Sequence, residues 1–215
     1  MKEVITARSL DVPDEVLPMD RDSFYREQVE VFKASGKPTK AVDIIAVFIF
    51  NSNHELLVQK RSFDKTHNAG LLDKSIGGHI RYGDTPDYTV MVETVQELQT
   101  PSIVLRNETD FEKTQTLLKN YLETVSIIKH HQDTIQILTR AMDGEKIGIA
   151  NKLHIYFGLY NGRIRPVDRE AKGVIWYSLK ELRDEIKKFP DTFSGDLHFY
   201  LENYGKELEL FTKKF

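Results

Sequence analysis

The chain has 215 residues and 40% hydrophobic content, which is enough to bury one sizeable core. Its 30 basic and 33 acidic residues give a formal net charge of -3, which argues against a nucleic-acid-binding or membrane-binding protein. The absence of cysteine excludes disulfides, thiolate metal sites and cysteine nucleophiles. We find neither a signal peptide nor an apolar run of about 20 residues, so we expect a soluble cytoplasmic protein.

The amino-terminal part is predicted to contain strands and one helix. Residues 3–7 are predicted to form a short strand, and residues 21–34 a helix. The β-branched and aromatic run at residues 41–50 is typical of a strand that is buried on both faces. A turn separates it from a second strand at residues 54–60, so we expect a hairpin.

The carboxy-terminal part is predicted to mix helices and strands. Four apolar residues from Leu118 to Ile128 fall on one stripe, which predicts a helix over residues 109–129 with His130-His131 at its exposed end. Asn161-Gly162 is a type I′ turn signal that leads to a short strand near Ile164. The other predicted elements are strands at 133–142, 152–160 and 174–177, and helices at 179–188 and 192–204. This pattern predicts an α+β fold, arranged as an α/β/α sandwich.

The most informative stretch is residues 77–99, in which paired glycines and a Gly-Asp turn precede a helix. Asp84 or Thr85 can cap this helix, Pro86 suits its first turn, and we expect it to end before Pro101. An apolar repeat that begins at Met91 predicts the buried face of the helix. The other members of that repeat are Val95 and Leu98.

A second face of this helix carries Glu93, Gln96 and Glu97. Two carboxylates one turn apart repel each other unless a positive charge lies between them, and a divalent cation is the obvious candidate. The alternative is a solvated helix face, which is the usual location of acids at this spacing.

With these residues in place, the stretch resembles the Nudix box, which reads G, five residues, E, seven residues, R-E-U-x-E-E-x-G-U, with U aliphatic. If Gly78 is the first glycine, Glu93 and Glu97 fall on acidic positions of the box. Asp84 falls on the first acidic position. The sequence departs from the pattern where Val92 replaces the arginine that orients a box glutamate, where Gln96 replaces a metal carboxylate, and where Gln99 replaces the last glycine.

The surrounding sequence is similar to the isopentenyl-diphosphate-isomerase-like branch of the Nudix superfamily. Members of that branch commonly show Q-K-R-S, G-L-W-D and S-x-G-G-H segments. The corresponding segments here are residues 59–62, 70–73 and 75–79, with Leu72 in place of the tryptophan. The resemblance continues to the Trp176 strand, apart from a segment at 108–131 that looks inserted.

The resemblance implies a mixed β-sheet core with helices on its faces. From the predicted elements we also expect an extra inserted helix and carboxy-terminal helices. We expect a single domain over residues 1–215, with an amino-terminal strand and helix at 1–40, a core at 41–178 and helices at 179–215. The inserted segment is expected to be a core or dimer-contact helix, with a substrate lid as the alternative.

The resemblance further implies a site that binds Mg²⁺ or Mn²⁺ and cleaves a diphosphate linkage. Glu93 and Glu97 would be catalytic and, with the amide oxygen of Gln96, would hold the metal. The residues implied to bind substrate are Lys60, Arg61, His79 and Glu170.

Three of these substrate-binding assignments have a plain structural alternative. Lys60 and Arg61 can be ordinary charges at the end of a strand, and His79 can be a structural residue. Gly77 occupies the position at which isomerases of the superfamily carry a cysteine, so isomerase activity by that mechanism is not expected.

We therefore predict a divalent-metal-dependent hydrolase of a diphosphate linkage, in a nucleoside diphosphate derivative or a similar small molecule. The alternative is a Nudix domain that is catalytically weak or silent and binds a nucleotide or metabolite. The expected partners are a small-molecule diphosphate and a second copy of the chain in a homodimer, with neither nucleic acid nor membrane.

Overall fold

A mixed β-sheet with helices on both faces forms the centre of the protein. The computed structural model describes residues 3–12, 14–65, 67–142, 145–164 and 171–215. The strands are β1 (Val4–Ser9), β2 (Val16–Asp20), β3 (Lys40–Phe50), β4 (Glu55–Arg61), β5 (Leu72–Asp73), β6 (Ile76–His79), β7 (Ser102–Leu105), β8 (Ser126–Met142), β9 (Glu145–Leu159) and β10 (Ala171–Ser178). The helices are α1 (Arg21–Ser35), α2 (Pro86–Leu98), α3 (Glu108–Leu118), α4 (Leu179–Lys188) and α5 (Gly195–Thr212), with 3₁₀ turns at Lys119–Tyr121 and Pro190–Thr192.

Strand β3 is the central strand of the sheet, whose order is β10-β4-β3-β9-β8-β7. It runs parallel to β9 and antiparallel to β1, β4 and β6. Alternate β3 side chains enter two separate cores, because successive residues of a strand face opposite sides of the sheet. Phe48 and its neighbours pack with α1, α3, α4 and α5 on one face, whereas Ile45 and its neighbours pack with α2 on the other. The predicted α/β/α sandwich is confirmed.

The strand predicted at residues 41–50 is confirmed, because every residue of that run is buried. The adjoining hairpin is limited to one pair, Phe50 with Leu56. Strand β4 instead pairs along its length with β10. None of the helices in the described part of the chain is both long and apolar enough to cross a lipid bilayer.

The helix predicted over residues 109–129 is wrong beyond its first half. Helix α3 ends at Leu118, and residues from Ser126 onward belong to β8. Ile128 is fully buried in the α2-side core, and His131 stacks on Phe157 of β9. The pair His130-His131 is therefore strand rather than an exposed helix end. Long antiparallel pairing with β9 outweighs the local helical spacing.

Two further differences from the predictions concern a strand and a turn. Strand β7 was not expected. Residues 161–164 form no strand, and residues 165–170, over which the strand predicted near Ile164 could continue, lie outside the described residues. Asn161 and Gly162 have no positive φ, so they do not form the type I′ turn. Instead, the Asn161 side chain accepts a hydrogen bond from the Ser52 N–H at 2.7 Å.

Helix α2 begins and ends as its sequence predicts but is rotated from the expected phase. Thr85, rather than Asp84, caps it by accepting a hydrogen bond from the Tyr88 N–H at 3.2 Å. The predicted apolar face is wrong for two of its three members, since Met91 and Val95 are 44% and 53% exposed. The buried residues are Thr89, Val90, Thr94, Glu97 and Leu98. This rotation turns the box acids toward the sheet.

Gln99 ends α2 in the left-handed conformation, with φ 54° and ψ 35°. Its N–H donates to the Val95 carbonyl oxygen at 3.1 Å, and the Thr100 N–H donates to the Thr94 carbonyl oxygen. These bonds form a Schellman-type end, in which glycine is favoured because a Cβ is strained there. The glycine of the Nudix box falls at this position, so the conformation persists although the residue has changed.

We expect Gln99→Gly to raise the free energy of unfolding by about 1 kcal/mol, because it removes left-handed strain. Urea denaturation measures the change. Gln115→Gly in the interior of α3 is the matched control, and it should lower stability by roughly 1 kcal/mol. Destabilisation by both substitutions would contradict the assigned strain at Gln99.

Candidate functional site

A polar cavity of about 610 Å³ lies where β6, β5 and the start of β1 meet α1, α2 and α5. Six cationic side chains line it against four carboxylates, so it carries a surplus of positive charge. The cationic residues are Arg21, Arg61, Lys65, Lys74, Arg81 and Arg140, and the carboxylates are Glu3, Asp73, Glu93 and Asp196. His67, His79 and Gln96 also line it, whereas its aliphatic wall is limited to Val4, Ile44 and Ile45.

The paired glycines of β6 let opposite charges approach the strand on its two faces. A Cβ on Gly77 would lie 2.7 Å from Lys74 Cε, and a Cβ on Gly78 would lie 2.8 Å from Glu93 Oε1. Because successive strand residues face opposite sides, Gly77 accommodates a cation on one face and Gly78 a carboxylate on the other. A larger residue at either position would displace a cavity-lining charge.

Asp73 anchors the cationic wall from a buried position. Its Oδ1 accepts hydrogen bonds from the Ser194 hydroxyl at 2.8 Å and from the Lys74 N–H at 2.9 Å. The Arg61 guanidinium lies 3.4 Å from Oδ2, and the Lys74 ammonium lies 3.5 Å from Oδ1. Burial alone would raise the pKa of Asp73, but the charges of Lys74 and Arg61 and these hydrogen bonds hold it below its usual value. Asp73 is thus an ionised anchor.

Lys74 is almost enclosed by the side of the cavity that faces α5. Its side chain is 7% exposed, and its Nζ lies 3.9 Å from Asp196 Oδ2 and 5.6 Å from the centre of the Tyr200 ring. The carboxylates and the ring face compensate the buried ammonium. Lys74 therefore presents a fixed positive charge beside β6.

His79 is held on the α1 side of β6 by the Tyr25 hydroxyl, which lies 2.7 Å from His79 Nε2. The Arg140 guanidinium stacks on the ring of the same tyrosine, 4.8 Å from the centre of the Tyr25 ring. Burial, together with the charges of Arg21 and Arg140, holds the pKa of His79 well below its usual value. His79 is therefore a neutral imidazole near pH 7.

His67 is a second neutral histidine of the cavity. Burial and the nearby Arg140 charge lower its pKa to about 4. Its carbonyl oxygen accepts a hydrogen bond from Arg61 Nε at 3.2 Å, which fixes the loop that carries it.

The three box residues of α2 divide between the cavity and the protein interior. Glu93 and Gln96 line the cavity. Glu97 is 2% exposed, and its Oε2 accepts a hydrogen bond from Gln59 Nε2 at 3.0 Å. The Nudix box has an arginine at the position of Val92, and that arginine orients a box glutamate through a salt bridge. Here the neutral amide of Gln59, on β4, helps to orient Glu97.

Of the other predicted site residues, two line the cavity, one does not, and one lies outside the described residues. Arg61 and His79 line the cavity. Lys60 is exposed at the end of β4, with its ammonium 5.7 Å from the centre of the Phe63 ring, and is not among the residues that line the cavity. Glu170 lies outside the described residues.

The oxygen donors of α2 fit a magnesium-like cation that also uses oxygens of a bound ligand. In the described ranges of the chain, no three His, Asp or Glu side chains come close enough to hold a metal by themselves. Mg²⁺ commonly binds through one or two carboxylates together with substrate phosphates. The Glu93 carboxylate and the Gln96 amide oxygen supply hard donors of this kind at the cavity wall.

Several cavity residues were not singled out from the sequence. Lys74, His67 and Arg140 carry no motif and converge only through the fold. Gln59 and Asp73 lie within the Q-K-R-S and G-L-W-D segments, so the motifs marked their positions without indicating what they bind.

The fold and the cavity together define an α/β/α protein with a cation-rich site beside an acid-bearing helix. The NUDIX domain family matches residues 39–197. The chain therefore belongs to the NUDIX domain family.

Relatives and solved structures agree with this assignment. An isopentenyl-diphosphate Delta-isomerase of Serratia proteamaculans is 28% identical over 151 residues, covering 69% of this chain and 68% of the relative. One from Streptomyces coelicolor is 24% identical over 167 residues, covering 77% and 71%. The crystal structure of DR0079 from Deinococcus radiodurans superposes with a TM-score of 0.61 at 15% identity, covering 93% of this chain and 98% of that one. The MutT protein of Methanosarcina mazei gives 0.52 at 15% identity, covering 78% and 94%.

We expect acidification to destabilise the protein in part through His67. Its folded pKa of about 4 lies below the unfolded value near 6.5, so the unfolded state binds more protons between these values. The contribution of His67 is therefore favourable above about pH 6.5 and is lost as the pH falls toward 4, with roughly 2 kcal/mol lost between pH 7 and pH 5. Urea denaturation at pH 7 and pH 5 should show a smaller loss for His67→Gln than for the wild type.

The matched control is His198→Gln, which changes a histidine of α5 outside the cavity lining. It should retain the wild-type pH dependence. An unchanged pH dependence in His67→Gln would contradict a neutral, buried His67.

Proposed function

We propose that this protein is a divalent-metal-dependent hydrolase that cleaves a diphosphate linkage in a small molecule, such as a nucleoside diphosphate derivative. One observation carries the proposal: Glu93 and Gln96 of the box helix face the same cavity as Arg61, Lys65 and Lys74. A diphosphate needs both partners, since its oxygens bind cations and a reacting water needs a carboxylate.

The proposed cofactor is Mg²⁺ or Mn²⁺, held by Glu93 and Gln96 with Glu97 behind them. When bound, such a cation neutralises diphosphate oxygens and polarises the reacting phosphorus or water. The cavity wall offers few oxygen donors, namely the Glu93 carboxylate and the Gln96 amide oxygen. This favours a cation that binds together with the substrate.

The side chains have separable roles in this proposal. Arg61 and Lys74, positioned by Asp73, neutralise phosphate oxygens, and the Arg61 guanidinium suits bidentate contact. The Glu93 carboxylate faces the cavity and accepts a proton from the attacking water. Glu97 is oriented by Gln59 and lies behind the proposed metal ligands Glu93 and Gln96. It is the alternative proton acceptor.

The isomerase reaction named for the relatives is not proposed for this chain. The chain has no cysteine, and Gly77 stands where the resemblance places the isomerase cysteine. The space above Gly77 is filled instead by Lys74. The described cavity wall is also too polar for an apolar isoprenoid chain, because its aliphatic residues are confined to Val4, Ile44 and Ile45.

A metabolite-binding module without turnover is the second candidate. It is favoured by the burial of Glu97 and by the absence, in the described residues, of three acidic or histidine side chains grouped for a metal. In that case the cationic wall would bind the phosphates and α2 would serve only as a boundary. The cytoplasmic location and the homodimer expected from the sequence belong to either proposal.

We expect Glu93→Gln to lower turnover by about 100-fold, because it removes a proton acceptor and a metal ligand together. Phosphate or monophosphate release is measured over a panel of nucleoside diphosphate derivatives with Mg²⁺ and with Mn²⁺. Glu97→Gln, measured alongside, separates a catalytic Glu97 from a purely structural one. Glu112→Gln on the exposed side of α3 is the control and should retain full activity.

If the wild type turns over every compound no faster than Glu93→Gln does, the proposed hydrolase is contradicted. Thermal stabilisation by a nucleotide without metal and without turnover would then support the binding module.

Restoring the box with Val92→Arg plus Gln96→Glu should raise turnover at least about tenfold. The change adds a metal carboxylate and a charged orienting partner, and such partners affect activity by roughly 10- to 100-fold. Turnover is measured at limiting Mg²⁺, where the gain should be largest. Equal turnover at every Mg²⁺ concentration would show that the box residues do not limit the reaction.

A further inference from the structure

Two polar groups of the cavity are buried without a hydrogen-bond partner. They are Nε2 of His67 and Nε of Arg140. Both residues line the cavity, and neither nitrogen has an acceptor in the part of the chain that the structure describes. A buried polar group left unpaired is costly, so most such groups in folded proteins pair with protein, water, an ion or a ligand.

The two groups reach the cavity from different elements and are held in place. Arg140 projects from β8 and stacks on the Tyr25 ring of α1 at 4.8 Å. Its alternate neighbour Leu138 packs in the core on that same face of the sheet. His67 follows β4, on the loop fixed by the bond from Arg61 to its carbonyl oxygen. The Arg140 charge is close enough to lower the pKa of His67, so the two groups share one region.

The local charge favours an anion in this region. The guanidinium only donates hydrogen bonds, and a neutral imidazole can donate from Nε2. The nearby carboxylates already serve other cations: Glu3 pairs with Arg21, and Asp73 and Asp196 lie beside Lys74. Among the ion pairs of the described residues, none involves Arg140. A ligand with several acceptor oxygens can pair with both nitrogens and neutralise the Arg140 charge at once.

We propose that the substrate carries a further anionic group, a phosphate or a carboxylate, which binds between His67 and Arg140. This inference rests on the proposed function for the diphosphate itself, which occupies the part of the cavity beside Glu93, Gln96 and Lys74. The substrate is thus a polyanionic small molecule rather than a diphosphate with an apolar tail. His67 and Arg140 determine specificity and take no part in bond cleavage.

Inorganic phosphate without divalent cations tests this subsite apart from any catalysis. Binding is followed by calorimetry and by the ring proton resonances of His67, identified through His67→Gln. The wild type should bind phosphate, and bound phosphate should raise the pKa of His67 by about one unit. Arg140→Gln should weaken phosphate binding at least tenfold, and His67→Gln at least threefold. Arg106→Gln, which changes an arginine paired with Asp87 outside the cavity lining, is the control and should bind like the wild type.

Arg140→Lys keeps the charge and removes the guanidinium, so it should bind phosphate at least threefold more weakly than the wild type. It also replaces Arg140→Gln as the test if that variant does not fold. Failure of the wild type to bind phosphate, or equal binding by all cavity variants, would overturn the subsite.

A comparison of tripolyphosphate with pyrophosphate, in the presence of Ca²⁺, tests whether the third anionic group is recognised. The wild type should bind tripolyphosphate at least about tenfold more tightly, and Arg140→Gln should lose that preference. Equal affinity of the wild type for the two compounds would overturn the additional group. If the protein shows no detectable turnover, only the proposed function is contradicted, because both binding experiments are independent of cleavage.

Discussion

The buried carboxylate of Asp73 is the interaction on which the cavity depends. It joins β5 to β4 through Arg61 and to the beginning of α5 through the hydroxyl of Ser194, which also caps that helix. The same carboxylate stands beside Lys74. A buried charge is costly unless it is paired and hydrogen-bonded, and here every contact that reduces the cost also fixes a cavity element. The ion-pair cluster and the shape of the site are therefore one structural feature.

Strand β6 converts this arrangement into a site with two chemically different walls. It pairs with the central strand β3, so its position is set by the most deeply buried part of the sheet. Gly77 and Gly78 then admit Lys74 on one face and Glu93 on the other. The cavity beside β6 is lined by Lys65 and Lys74 of the β4–β6 connection and by Glu93 of α2. The sheet thus provides rigidity, and the absence of two side chains provides access.

Local signals predicted much of the fold, because they act over a few residues. The bounds of α4 were predicted correctly, and its Ser178 and Glu181 form a reciprocal capping box. The end of α2 at Gln99 likewise followed from the box and the nearby proline. The residues from Ser126 to Ile128 were misassigned, because their helical spacing is overridden by pairing with β9 and β7.

The site was predictable only where a motif marked it. The residues Glu93, Gln96, Arg61 and His79 lie within recognisable segments, and all four line the cavity. Arg140 could not be assigned, because its position depends on the length of β8 and on the packing of α1 against the sheet. The rotation of α2 was equally inaccessible. Its hydrophobic residues occupy two faces, and contacts with Gly78 and Gln59 select the one that is buried.

These features also change what the altered box implies. With Gln96 in place of a carboxylate and Val92 in place of an arginine, α2 carries less negative charge than the Nudix box and lacks the arginine of the box. The opposite wall supplies the compensating charge, since six cationic side chains line a cavity that has four carboxylates. A polyanionic ligand needs its charge neutralised, but side chains can share that task with a metal. Two of these cations, Arg61 and Lys74, lie beside Asp73 and are therefore positioned independently of α2. Under the proposed function, their attraction for phosphates does not depend on how well the box binds metal.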